Sequence, residues 1–259
     1  MKTIQKLDTG WFLKQLEPVD TLDISWVNSL FKDDISIGLE FFPVFLMPAQ
    51  VYEILIVQGI IENPNIKGNS ISCQWVAEKD WIYINKFPSS TPSEIAYINF
   101  KGLDTYADVY LNGEKIHEHD DVYLPAKVDV TGKLLFQNIL AIHFHSPRRK
   151  IADIVLPGYL DNAEKKIHDF ARTRMFGSTF SDYLGPKPCL FRVGVYDDIE
   201  VVYPDQGDIV RFHAPYTLSR ELDFLSLTVE LEITGNISGM LVDFVLVAPD
   251  GSSITPISV

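Results

Sequence analysis

The run Leu103-Asp104-Thr105-Tyr106-Ala107-Asp108-Val109-Tyr110-Leu111-Asn112-Gly113-Glu114-Lys115 leaves the chain that carries it little conformational freedom. Tyr106, Val109 and Leu111 favour a pleated, half-buried strand, and Asn112-Gly113 supplies the two positive-φ positions of a type I′ turn. The strand is therefore predicted to fold back into Lys115-Ile116 as a hairpin. The same texture extends past residue 70, where short runs of β-branched and aromatic residues alternate with turn signals, as in an antiparallel sandwich. Expected strands are 74–76, 81–87, 94–100, 108–112, 140–145 and 198–202. Helical periodicity is scarce: residues 51–58 form one predicted short helix and 161–171 a second candidate, and neither carries a fold.

Composition narrows the function classes. The 259 residues are 46% hydrophobic and 12% aromatic, ample for a buried core. The formal net charge of -13 argues against nonspecific nucleic-acid binding, which needs clustered Lys and Arg, and the one basic cluster, Arg148-Arg149-Lys150, is short. Cys73 and Cys189 allow at most one bridge, and reduced core cysteine is the commoner state. The N-terminus meets charge before any apolar run of signal-peptide length, so a cytoplasmic protein is expected, or a secreted or periplasmic one whose leader was trimmed. The apolar stretch 35–57 is interrupted by Glu40, Pro43, Pro48 and Glu53, so no membrane span is expected.

Tyr203-Pro204-Asp205-Gln206-Gly207-Asp208 reads as a linker, dividing the chain into domains 1–204 and 205–259. Beyond it, residues 209–213, 224–234 and 241–247 read as strands, with Pro249-Asp250-Gly251-Ser252 as a turn. Residues 20–45 carry no functional reading.

Several segments share wording and spacing with a known family. They are Met47-Pro48-Ala49-Gln50-Val51 through Asn63-Pro64, Gln74-Trp75-Val76 with Asp80-Trp81-Ile82-Tyr83, the hairpin run, Val128-Asp129-Val130-Thr131, and Asn138-Ile139-Leu140-Ala141-Ile142 closed by His143-Phe144-His145-Ser146-Pro147. In this order, over residues 47–204, they resemble the N-terminal domain of glycoside hydrolase family 2, most closely the β-mannosidases. The resemblance implies an all-β fold: a jelly-roll, galactose-binding-like antiparallel β-sandwich, followed by a partial immunoglobulin-like β-sandwich. A complete sandwich of that second kind takes about seven strands over roughly 100 residues, so the chain is expected to stop near its middle.

The same resemblance places the chemistry elsewhere. Retaining glycoside hydrolysis needs two carboxyls about 5 Å apart, which in this family come from a (β/α)8 barrel of about 250 residues, whereas 55 residues follow Pro204. No catalytic residue is expected in this chain. β-Mannosidases carry an Arg-Lys segment and then a Trp-Asp-Trp-Gly-Pro loop that reaches the terminal sugar. The matching positions here are Phe170-Ala171-Arg172-Thr173 and Ser181-Asp182-Tyr183-Leu184-Gly185-Pro186. Arg172, Asp182 and Tyr183 are thus the candidate substrate-binding residues, although Ser181 and Tyr183 replace the tryptophans. An ionised Asp182 accepts two hydroxyl hydrogen bonds and Tyr183 offers a stacking face. The other reading is that Asp182 caps a turn before Gly185-Pro186.

Other residues have structural readings. His143 and His145 lie two apart on a strand and so share a face, which suits a metal, but spacing supplies no third ligand and a place on the sheet surface is expected. His117 and His119 read as exposed loop polarity in Glu118-His119-Asp120-Asp121. Asp104 and Asp108 read as architectural, and Trp75 and Trp81 as packing between sheets. No Ser-His-Asp order, phosphate loop or Cys-x-x-Cys pair stands out. No cofactor and no metal are therefore expected; the expected partner is carbohydrate, with self-association through exposed apolar strands of the second domain. Two readings compete with a part of a family 2 glycosidase: a carbohydrate-binding module, and a divergent structural or interaction domain.

Overall fold

Turn residues divide the first two hundred residues into short extended runs that pair antiparallel. They are β1 (Lys2–Lys6), β2 (Trp11–Leu16), β3 (Phe42–Val44), β4 (Asp80–Pro88), β5 (Tyr97–Phe100), β6 (Leu103–Asp104), β7 (Ala107–Leu111), β8 (Glu114–His119), β9 (Ala126–Asp129), β10 (Gln137–Phe144), β11 (Gly194–Val195) and β12 (Ile199–Pro204). Among the described residues four short helices interrupt them: α1 (Ser25–Ser29), α2 (Val51–Val57), α3 (Asn69–Ser72) and α4 (Pro147–Ala152). The computed structural model describes residues 2–29, 40–66, 68–89, 95–152, 190–204, 207–235, 238–239 and 241–254. It divides into two units, Thr3–Tyr203 and, counted with Met1–Lys2, Pro204–Val259.

In the first unit the strands form a four-stranded sheet, β1-β12-β5-β9, and a six-stranded one, β3-β2-β4-β10-β7-β8. Ile98, Phe100, Val128 and Val201 of the smaller sheet share one core with Trp81, Tyr83, Leu140, Ile142, Phe144 and Val109 of the larger, so the unit is an all-β sandwich. Register explains the sorting. Phe144 stands opposite Trp81, and Ile142 lies between Tyr83 and Val109, so one face of three strands is apolar throughout. At its centre Tyr83 meets Trp11 and Phe144 edge to face, with ring centroids 6.5 and 5.5 Å apart.

The larger sheet is covered on its other face as well. Ile82, Ile84, Tyr110 and Ala141 pack against Leu22 and Val27, with Trp26 and Phe41 partly buried beside them. The described part of residues 20–45 therefore serves as a lid over the outer face, which the sequence reading left unexplained. Lys14 sits under that lid, 5.0 Å from the Phe41 ring and ion-paired with Glu40.

The predicted hairpin forms. Asn112 and Gly113 have φ of 52° and 89°, and Leu111 pairs with Glu114 across a two-residue turn. The Asn112 side chain also accepts from Ile139 N–H at 2.9 Å and donates to Asn138 Oδ1 at 3.0 Å, tying the turn to the root of β10. The helix predicted at 51–58 is α2, opened by a Gln50/Glu53 capping box.

Three expectations are corrected. Residues 74–76 are not a strand but part of a 3-10 turn, Gln74–Glu78, because Val76 N–H bonds back to Cys73 O at 3.2 Å. That turn brings Trp75 onto Trp81, with centroids 6.0 Å apart, and hands Val76 O to the Trp81 indole at 2.9 Å. In the second unit, the run 224–234 is two strands, β15 (Leu225–Leu227) and β16 (Glu230–Gly235), which pair with β14 (Tyr216–Leu218) and β13 (Gly207–His213). Its break at Thr228 coincides with a bond from Thr228 N–H to Pro215 O at 3.0 Å. Of 241–247 only β17 (Leu246–Val247) is extended, paired with β18 (Ser253–Ile254). Among the described residues no helix is long and apolar enough to cross a membrane.

Candidate functional site

Arg172, Asp182 and Tyr183, with the helix candidate at 161–171 and Cys189, lie outside the described residues. What the structure describes is the root on either side of residues 153–189. Ile151, at the end of α4, and Phe191 pack together with Ala77, and Tyr106 lies against the three. Arg148 stacks 5.7 Å from the Phe191 ring. The described chain thus departs and returns at one place, beside the paired strands β6 and β11.

A buried polar network anchors that root. Asp80 begins β4, His143 lies near the end of β10, His145 just follows it, and Asp108 lies on β7; all four are buried. Asp80 Oδ1 accepts from Ser146 N–H at 2.7 Å, while its Oδ2 accepts from Val19 N–H at 3.1 Å and lies 2.9 Å from His143 Nε2. His145 Nε2 lies 3.1 Å from Asp108 Oδ2, and Lys115 Nζ pairs with Asp108 Oδ1 at 2.6 Å. Ser146 completes the junction by donating to Ala77 O at 2.8 Å. One carboxylate therefore ties Val19, just before the lid segment, to Ser146, just before α4.

The electrostatics follow from the partners. Burial pushes the Asp80 carboxyl up, but the bonds from His143, Ser146 and Val19 outweigh it and hold the group below its ordinary value. Asp108 behaves likewise: burial opposes its charge, and His145 with Lys115 overcomes that and sets it well below the usual carboxylate range. Burial depresses His119, with a further contribution from His117, whose ring centroid is 5.7 Å away.

These positions correct two readings. His143 and His145 are not on the sheet surface but 0% and 4% exposed, because the lid covers the outer face. His117 and His119 belong to strand β8 rather than to an exposed loop, and His119 is buried. Asp104 and Asp108 are buried and architectural, and Trp75 and Trp81 pack in the core, as expected. Sequence reasoning missed Asp80 altogether. The available signal was an acidic residue at the head of the apolar run Trp81-Ile82-Tyr83-Ile84, a place where a carboxylate must find partners.

Replacing Asp80 by asparagine is expected to cost about 3 kcal/mol or more, since breaking a buried pair leaves its partners uncompensated. Both oxygens accept N–H bonds, so either orientation of the amide turns an NH2 toward a donor. Urea denaturation followed by far-UV circular dichroism measures it; a change under about 0.5 kcal/mol, typical of a surface site, would refute the anchoring role.

Residues 28–181 match the model of the glycosyl hydrolase 2 galactose-binding domain-like family. The chain belongs to that family. The match to this glycosyl hydrolase 2 domain contains Arg172 and ends one residue before Asp182. β-Mannosidase B of Thermothelomyces thermophilus is 34% identical over 148 residues, which are 56% of this chain and 15% of that protein. A probable β-mannosidase of Caenorhabditis elegans is 35% identical over 103 residues, 39% of this chain and 11% of that protein. The chain thus spans a small fraction of these curated relatives. Among solved structures, β-D-mannosidase from Dictyoglomus thermophilum superposes with a TM-score of 0.63 at 22% identity, covering 90% of this chain and 26% of that one. Amycolatopsis orientalis exo-chitosanase CsxA gives 0.56 at 17% identity, over 99% of this chain and 27% of its own. At such identities the likeness establishes the fold.

Proposed function

We propose that this chain is the non-catalytic N-terminal part of a β-mannosidase-like family 2 glycosidase, which in its complete form hydrolyses terminal β-linked sugars by a retaining mechanism. The observation that carries the reading is the family match over residues 28–181 together with β-mannosidase relatives of 34% and 35% identity. In this reading Arg172, Asp182 and Tyr183 contribute one wall of the sugar pocket, the aspartate by accepting hydroxyl hydrogen bonds and the tyrosine by stacking. The packed root at Ile151, Phe191 and Ala77 is the rigid base such a wall requires. The two catalytic carboxylates are supplied by a barrel in the longer protein.

The test is a panel of nitrophenyl β-mannoside, β-galactoside and β-glucuronide, run on this chain and on the protein of the complete reading frame. Turnover of the mannoside by the longer protein alone is expected. Inactivity of both would replace this reading with that of a divergent binding or structural domain.

We also propose that the Pro204–Val259 unit associates with a second copy when this chain is isolated. Phe212, Leu222, Phe224 and Leu241 are exposed there, the last at 77%. Ile209, Val229, Leu231, Ile233 and Phe244 line an open apolar groove. Sedimentation at rising concentration should show a growing dimer fraction, and a concentration-independent monomer would rule this out.

A further inference from the structure

We propose that Asp80, His143 and His145 form a buried site for a divalent transition-metal ion of the zinc class, with Asp108 orienting His145 from behind. The ligating atoms of the three residues all lie within 4.8 Å of one another, and all three residues are buried. They come from the start of one strand and the end of its neighbour, which is why spacing along the chain showed only the two histidines. Two imidazoles and a carboxylate form a familiar zinc donor set.

The decisive feature is His145. Its Nε2 faces Asp108 Oδ2 at 3.1 Å, and an ionised carboxylate only accepts, so in the neutral ring the proton sits on Nε2 and Nδ1 carries a lone pair. That Nδ1 is buried, makes no hydrogen bond among the described residues, and faces Asp80 Oδ2 at 3.8 Å. Two acceptors thus face one another across a gap too long for a hydrogen bond. A cation between them resolves the conflict, and the Asp108–His145 contact supplies the carboxylate that metal-bound histidines characteristically engage with their other nitrogen. His143 Nε2, 2.9 Å from the same Asp80 oxygen, donates to it in the ion-free site; an ion bound there displaces that proton, and the ring can carry it on Nδ1, which is buried and makes no hydrogen bond among the described residues.

Dimensions agree. Bonds of roughly 2.0–2.1 Å to zinc place tetrahedral ligand atoms about 3.4 Å apart, and the separations here, 2.9 and 3.8 Å, bracket that value. Arg149 Nη2 lies 3.5 Å from Asp80 Oδ2, but its guanidinium has shorter bonds to Val19 O at 2.6 Å and Asp20 at 2.9 Å. Those bonds hold the arginine independently of Asp80.

The test uses the full chain, stripped with a chelator and titrated with Co2+ and Zn2+, both as folded and after refolding with the ion present, since the site is closed to solvent. One equivalent should bind, the Co2+ form should show a ligand-field band of low-symmetry coordination, and the melting temperature should rise with free ion concentration. His145→Gln and His143→Gln should each lose the band, while Asp108→Asn should weaken binding about 10–100-fold. His213→Gln, at an exposed histidine of the other unit, should bind as the parent does. Absence of a stoichiometric ion and of the band in the parent chain overturns the proposal, as does binding that survives both histidine substitutions. Because the first of these is read on the unaltered protein, misfolding of a variant does not shield the idea.

Discussion

Trp81→Ala should cost the sandwich about 3–5 kcal/mol, a large share of the 5–15 kcal/mol that holds a typical domain together. Trp81 is fully buried at the N-terminal end of β4, opposite Phe144, and its indole donates to Val76 O at 2.9 Å while its ring meets Trp75. Truncation removes the indole volume from a core shared by both sheets and leaves Val76 O without its partner. It also loosens the 3-10 turn that places Ala77 under Ile151 and Phe191. Urea unfolding followed by far-UV circular dichroism reads the total. Limited proteolysis should show cleavage near residues 74–78 before global unfolding. A loss under about 1 kcal/mol would mean that this indole is not a principal part of the shared core.

Gly194→Ala should be nearly as damaging, at about 3 kcal/mol or more from strain and overpacking combined. Gly194 has φ of +129°, outside the range of side-chain-bearing residues, and a Cβ there would stand 2.4 Å from Tyr83 Oη, 3.0 Å from Gln50 Cα and 3.1 Å from Val51 N. None of these moves cheaply. The Tyr83 hydroxyl donates to Ala49 O at 2.9 Å, and Val51 N–H bonds to Val193 O at 2.9 Å, so the clash pushes the start of α2 away from β11. Gly132→Ala is the comparison. Its φ of +73° lies near the left-handed helical region and nothing stands within 4 Å of an added Cβ, so it should lose only about 1–2 kcal/mol. Equal losses in the two variants would mean that neither the more extreme φ nor the close approach at Gly194 adds to the cost.

Much of the fold was legible because its signals are local. Asn112-Gly113 determines a hairpin by its φ requirements alone, and the central strands announce themselves through apolar runs on β4, β7 and β10. Edge strands were harder. β1 is mostly polar and β3 is three residues with a central proline, and nothing in Lys2–Lys6 or Phe42–Val44 distinguishes an edge from a loop until a partner is present. Gln74–Glu78 was misread because Trp and Val favour strands in isolation, whereas the return bond to Cys73 and the demand of the Trp81 indole settle the backbone as 3-10.

The candidate site divides in the same way. The wording around Arg172, Asp182 and Tyr183 was available from sequence, since it rests on order along the chain. The Asp80–His143–His145–Asp108 network was not. Histidines at alternate positions of a strand read as a solvent face, and here they are buried on the sheet face whose Ile82, Ile84 and Ala141 are covered by Leu22 and Val27, from a segment that sequence left without a role.

By itself, then, the sequence determined the all-β class, the central hairpin, the α2 helix and the family, since each depends on residues within a turn or two of one another or on their order. Only the tertiary structure decided which strand face was covered, that Asp80 would meet two histidines 63 and 65 positions away, and that Gly194 would lie against Tyr83. Those outcomes depend on contacts between distant segments, whose pairing is selected by packing and burial of the whole sandwich.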